Sequence, residues 1–201
     1  MGRLFFCVLS AADATVAVRD VFPDMSSLTK THFELFGLPA VFGLDRPALD
    51  AAYRSVQGAV HPDRHAAGSD TDRRIAMQMA AQANEAYRTL RDPALRAGYL
   101  CGLRGVDVAI ESNTAMPTDF LMQQMEWRER LDDAVAARDL AALEPLRDEL
   151  GDMRGALLAA LSEALDARDD TQAAAGLVRR LMFLDRFSTG IDAAEERLQR
   201  H

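Results

Sequence analysis

Cysteine is scarce in this chain: Cys7 and Cys101, 94 positions apart, are the only two among 201 residues. They form neither a CxxC metal clip nor a disulfide framework, and such usage suits a reduced, cytoplasmic protein. Aromatic residues are also few, with one Trp, three Tyr and nine Phe. There is no Gly-rich phosphate loop, no Gly-x-Ser-x-Gly elbow and no His-Glu-x-x-His pair, so the readily legible signatures of nucleotide, acyl-transfer and zinc chemistry are missing. No segment is free of charge over the ~20 residues that a membrane span requires. Basic charge is in deficit too: the formal net charge is -8 and the pI is near 5.0. A general nucleic-acid binder needs a net basic surface to release phosphate counterions, and this balance excludes one.

What is present favours helix. Hydrophobic residues make up 49% of the chain, enough for a core, and Ala, Leu and Arg abound. An all-α fold is expected. Charge is unevenly placed: residues 31–106 hold nine arginines against eight acidic residues, whereas residues 107–201 hold eleven against twenty. The second part suits a basic partner.

Residues 1–30 keep no sustained period and are expected to form a poorly ordered extension, with Met25 as an alternative start. The run "MGRLFFCVLSAA" is similar to a signal peptide, but its apolar stretch is short and Asp13 follows at once. "HFELFGLP" predicts a short helical turn with Phe33 and Phe36 inward, stopped by Gly37 and Pro39. Asp45 offers a cap for a helix with Leu49, Tyr53, Val56 and Val60 on one stripe. Asp70 offers another for a long helix in which Ile75, Met79, Ala83, Ala86 and Leu90 keep the same rhythm. These two helices are expected to pair antiparallel, followed by a shorter helix with Asp92 as cap and Pro93 at its first position. Residues 107–117 lack helical period and read as a linker. Beyond it, three amphipathic patterns near 118–138, 144–167 and 171–198 predict an antiparallel three-helix bundle over 118–201.

Two constellations stand out. In the helix from Thr118, Phe120, Trp127, Leu131, Ala134 and Val135 share a face at 100° per residue. Leu121, Met122 and Met125 fall on another face, roughly 140° around, flanked by Glu126, Glu129, Asp132 and Asp133. Either the bundle is wide enough to use this second patch, or the patch touches the first domain, or it docks a basic partner through adaptable methionines and attracting carboxylates. Phe183, at the edge of the last stripe, is a candidate member.

The second constellation is His61-Pro62-Asp63, with Arg64 and His65, between the paired helices. As an enzyme site these residues would be metal ligands or an acid–base pair. With only His32 and His201 besides, a complete site needs carboxylates from elsewhere. As a loop, Pro62 disfavours helix at His61 and ends it, so that His61 and Asp63 project.

The setting of His-Pro-Asp is specific. Tyr53-Arg54 precedes it, and Asn84-Glu85-Ala86-Tyr87 with Leu90, Asp92-Pro93, Arg96 and Tyr99 follows it; together these resemble the J-domain of DnaJ-type co-chaperones. "FELFGLP", "RAGYLCGLRGVD", "FLMQQMEWRERLDD" and "LVRRLMFLDRF" extend the resemblance, over 32 to about 190, to the HscB family of iron-sulfur cluster assembly. The resemblance implies a non-enzymatic co-chaperone with a J-domain at 31–106, in which a helical hairpin is joined by shorter helices, and with no cofactor or metal. It implies that His61, Pro62, Asp63, Arg54 and Arg64 bind a DnaK-family chaperone, HscA, whose ATP hydrolysis is thereby stimulated. It further implies that Leu121, Met122, Met125, Glu126, Glu129, Asp133 and Phe183 bind the scaffold protein IscU, with no role for nucleic acid or membrane. A J-domain module with a different client is the alternative. Val60 departs from the aromatic residue often found before the His, and with Cys7 alone upstream the cysteine-rich zinc module of some eukaryotic relatives is lacking.

Overall fold

The computed structural model describes residues 30–60, 69–108 and 116–200. The expectations for the extension over residues 1–29, for the His-Pro-Asp loop and for the centre of the 107–117 linker lie outside the described residues. Among the described residues the fold is all-helical, as expected: α1 His32–Phe36, α2 Arg46–Val60, α3 Asp70–Arg91, α4 Pro93–Leu103, α5 Thr118–Ala137, α6 Leu143–Ser162 and α7 Thr171–Gln199. A π turn, Glu163–Ala167, prolongs α6.

The chain forms two compact units. The first comprises the described residues up to Pro39 with those of Asp45–Arg88; the second comprises Ala40–Leu44 and the described residues from Thr89 on. α4 falls in the second unit, where it packs on α7. The face of α4 that goes inward is Ala94, Ala97, Leu100 and Cys101. Gly98 faces Val178 of α7, where a Cβ would stand in ordinary contact, 3.7 Å from Val178 Cγ1.

In the first unit, α1 is only five residues long and is held at both ends. Thr31 and Glu34 form a reciprocal capping box, with bonds of 2.8 and 3.2 Å. Gly37 closes the helix at φ 62°, a conformation that costs glycine little. α2 and α3 pair antiparallel, as Asp50 with Tyr87 and Tyr53 with Asn84 show. Their inward stripes are Leu49, Val56 and Val60, and Ala76, Met79 and Ala83 with Ala86; Ile75 and Tyr53 are half-buried. The cap of α3 is Ser69 rather than Asp70: its Oγ accepts the Asp72 N–H at 3.2 Å, and the Asp72 carboxylate accepts the Ser69 N–H at 2.9 Å. Asp70 instead pairs with Arg73 on the outer surface.

In the second unit, α5 ends at Arg138, in the left-handed region at φ 54°, and Asp139 Oδ1 accepts the N–H groups of Ala141 and Ala142 to turn the chain into α6. α6 and α7 are antiparallel, with Arg147 on Asp192 and Arg154 on Asp185. Leu143, Leu146, Leu150, Leu157 and Leu161 of α6 and Val178, Leu181, Leu184 and Ile191 of α7 are buried in the core of this unit. Met153, Leu177, Phe187 and Leu198, expected on these stripes, sit at their half-buried edges. α4 caps this arrangement with Asp92, whose carboxylate accepts the Leu95 N–H at 2.9 Å, and with Pro93 in the position where a missing N–H is harmless.

Candidate functional site

α2 presents Arg54 to solvent. Its register is set by an aromatic and amide ladder: the Tyr53 ring stacks on Tyr87 at 4.0 Å, and its hydroxyl donates to Asn84 Oδ1 at 2.8 Å. Gln57 donates to the Tyr53 hydroxyl, and Tyr87 donates to Asp50 at 2.9 Å. Phe36 meets Tyr53 edge-on at 6.3 Å, which ties α1 to the ladder. The helix runs to Val60, which is 2% exposed, so the residue next to His61 is anchored in the core. On the far side the Ser69–Asp72 box starts α3. His61, Pro62, Asp63 and Arg64 lie between these anchors and outside the described residues. In the same unit Val60, Arg73, Ala76, Met77, Ala80 and Asn84 line an apolar groove of about 370 Å³.

The second surface is on α5. Its inward face is Phe120, Gln124, Trp127 and Ala134. Phe120, Trp127, Phe183 and Phe187 form one ring cluster with centroids 5.7 to 6.3 Å apart, and the Arg180 guanidinium lies 5.4 Å over the Phe120 ring. Glu149 of α6 fixes the rotation of α5. Its Oε1 accepts the Trp127 indole N–H at 2.8 Å and its Oε2 accepts from Arg130 at 2.6 Å. Those bonds, the Arg130 one first, hold its carboxyl below the ordinary carboxylate range, although burial pulls the other way.

With α5 held in that rotation, the opposite face is turned outward. Met125 is 71% exposed and Met122 60% exposed, while Leu121 is half-buried. Glu126, Glu129, Asp132 and Asp133 are all exposed around them. Large exposed methionines flanked by carboxylates are what an adaptable docking face needs. Phe183 is placed differently from the other expected members. It is half-buried among Phe120, Trp127 and Phe187, supporting the helix from behind as well as showing an edge to solvent. Sequence reasoning had no signal for Glu149, whose role depends on a contact 22 residues away that follows no helical period.

Burial raises the Cys101 thiol above its ordinary value, and Arg104 opposes the shift. Among the described residues no group of three or more His, Cys, Asp or Glu side chains is arranged to hold a metal ion, and no helix is long and apolar enough to cross a membrane.

Comparisons with known proteins converge. A family model described as the HSCB C-terminal oligomerisation domain matches residues 116–192. The chain is 60% identical over 175 residues to the co-chaperone protein HscB homolog of Burkholderia thailandensis, covering 87% of this chain and 99% of that one. It is 58% identical, with the same coverage, to the homolog of Burkholderia multivorans. Among solved structures, the chaperone HscB from Vibrio cholerae superposes with a TM-score of 0.74 at 40% identity, over 84% of this chain and 99% of that one. The human co-chaperone protein HscB gives 0.78 at 25% identity, over 85% and 83%. These relatives define a class: all-helical co-chaperones, which work on a partner chaperone. The chain belongs to the HscB family within that class.

Proposed function

We propose that this co-chaperone stimulates ATP hydrolysis by a DnaK-family chaperone, HscA, and delivers to it the scaffold protein IscU during iron-sulfur cluster assembly in the cytoplasm. The observation that carries the proposal is the outward methionine and carboxylate face of α5, which has no core role in a chain of this family. Residues 31–106 act as the J-domain and residues 118–201 as the scaffold-binding domain. His61, Pro62 and Asp63 contact the chaperone, and Arg54 and Arg64 steer them to an acidic surface. Leu121, Met122, Met125, Glu126, Glu129, Asp133 and Phe183 contact the scaffold.

The protein performs no bond chemistry and needs no cofactor. Its effect is differential binding: the contact favours the partner's hydrolysis-competent arrangement, and the partner's equilibrium moves by the difference in affinity for its two states. The test is steady-state ATPase of the chaperone with this protein, with the scaffold, and with both. More-than-additive stimulation is expected. His61→Gln should abolish it with helicity unchanged, and replacing Leu121, Met125 and Phe183 by Ala should remove the scaffold-dependent part. Stimulation that survives His61→Gln refutes the loop assignment, and scaffold affinity unchanged by the triple substitution refutes the patch. Stimulation without scaffold binding would identify a J-domain protein with another client.

A further inference from the structure

The π turn after α6 is built around a carboxylate with two backbone donors on it. Asp166 Oδ1 accepts the Phe42 N–H at 2.7 Å, and Oδ2 accepts the Gly43 N–H at 2.7 Å. Successive amides on the two oxygens of one carboxylate make a charge-assisted, two-point grip. The gripped segment is secured further: Phe42 is 5% exposed, and the Arg96 guanidinium of α4 lies 5.1 Å over its ring. A Cβ at Gly43 would stand 3.2 Å from Asp166 Oδ2, closer than ordinary contact, so a side chain there would press on the carboxylate. On its other side the π turn is braced by Arg104, which donates to Leu165 O at 3.0 Å and pairs with Asp169 at 3.0 Å. Single π turns recur at functional positions in helices, and this one carries the grip.

The segment gripped is no ordinary surface loop. Ala40–Leu44 belongs to the second unit, yet the residues on both sides of it, Pro39 and Asp45, belong to the first. It is also the connection from α1 to α2, the helix that carries Arg54 and leads to His61.

We propose that Asp166 is a positioning residue that couples scaffold binding to chaperone stimulation, by holding the Ala40–Leu44 strap on the π turn. The proposal rests on the function proposed above and adds a residue that touches neither partner. Its role is distinguishable from plain stability, because each separate interaction should survive its loss while their cooperation does not.

The experiment uses the full chain with Asp166→Ala, and Gly43→Ala to disturb the same grip from the strap side. Amide hydrogen exchange at Phe42 and Gly43 should accelerate about tenfold or more in Asp166→Ala, the scale set by losing hydrogen bonds to a charged acceptor. Asp166→Asn, which keeps one acceptor oxygen, should fall between. Chaperone stimulation by the variant alone and scaffold affinity should stay at wild-type values, while stimulation with both present drops to the sum of the separate effects. Unchanged amide exchange overturns the grip. Synergy that persists in both alanine variants overturns the coupling role, as does an equal fall in all three functional readouts. A wild-type protein without synergy overturns the functional reading and the coupling with it, and amide exchange still decides the grip.

Discussion

Truncation of Glu149 to alanine should destabilise the second unit by about 2–3 kcal/mol, from two separable contributions. The larger is the indole N–H of Trp127, a side chain with 0% exposure whose acceptor is Glu149 at 2.8 Å. Leaving such a donor buried without an acceptor costs about 1–3 kcal/mol. The smaller is the pair with Arg130, whose side chains are 45% and 37% exposed. A solvent-screened pair of that kind contributes about 0.2–1 kcal/mol. Glu149→Gln separates the two, since an amide oxygen still accepts from the indole and only the charge is lost; it should cost under about 1 kcal/mol. Urea unfolding followed by tryptophan fluorescence is the assay, because Trp127 is the only indole in the chain. The acid side gives an independent check. The carboxyl of Glu149 sits below its ordinary value of 4.5 in the folded protein, through the bond from Arg130 first and that from Trp127 second. Its contribution is therefore complete above pH of about 4.5 and is lost as pH falls through the lower folded value. Glu149→Gln should lose less stability than wild type over that acid range. If Glu149→Ala unfolds within about 0.5 kcal/mol of wild type, the indole bond is not what fixes α5, and the account of its outward face fails.

Further outcomes are expected at other positions. Met125→Ala, at 71% exposure, should change the unfolding free energy by less than about 0.5 kcal/mol while weakening scaffold binding by about tenfold, as titration calorimetry and urea melts on one preparation would show. A loss of stability without a loss of affinity would make that face structural. Burial lowers His32 below its ordinary 6.5, with Glu85 opposing the shift. At His32 the folded state then binds fewer protons than the unfolded chain, so this group takes nothing from stability above pH of about 6.5 and weakens the fold as pH falls below it. His32→Gln should flatten urea midpoints between about pH 7.5 and 5.5; an equally steep dependence in the variant would refute the assignment.

Helix positions were legible because period and punctuation agree. Asp92 and Pro93 mark the start of α4, and the leucine rhythm carries α6 from Leu143 into the turn ending at Ala167. The start of α3 was misassigned by one residue, since Ser69 and Asp70 both have capping chemistry and only geometry shows Ser69 exchanging bonds with Asp72. The grouping of α4 with the second unit was not legible. Its inward residues, Ala94, Ala97, Leu100 and Cys101, are a face that would fit either neighbour. The outward position of Met122 and Met125 followed from helical rotation alone, whereas the place of Phe183 in the ring cluster needed the third dimension. Asp166 left no trace in the pattern. Its partners are backbone amides 123 and 124 residues away, and a carboxylate in a polar turn reads as solvated.

The stack of Tyr53 on Tyr87, 15° from parallel, puts two of the three tyrosines of the chain in one unit, while the indole belongs to the other. Rings so close and so nearly parallel couple their transition dipoles, and the resulting near-ultraviolet dichroism vanishes when α2 and α3 part. The molecule thus carries two optical clocks that need no label. Run against each other in one denaturant titration, they tell whether the units melt together or in turn, and so whether one free energy of unfolding describes this protein at all.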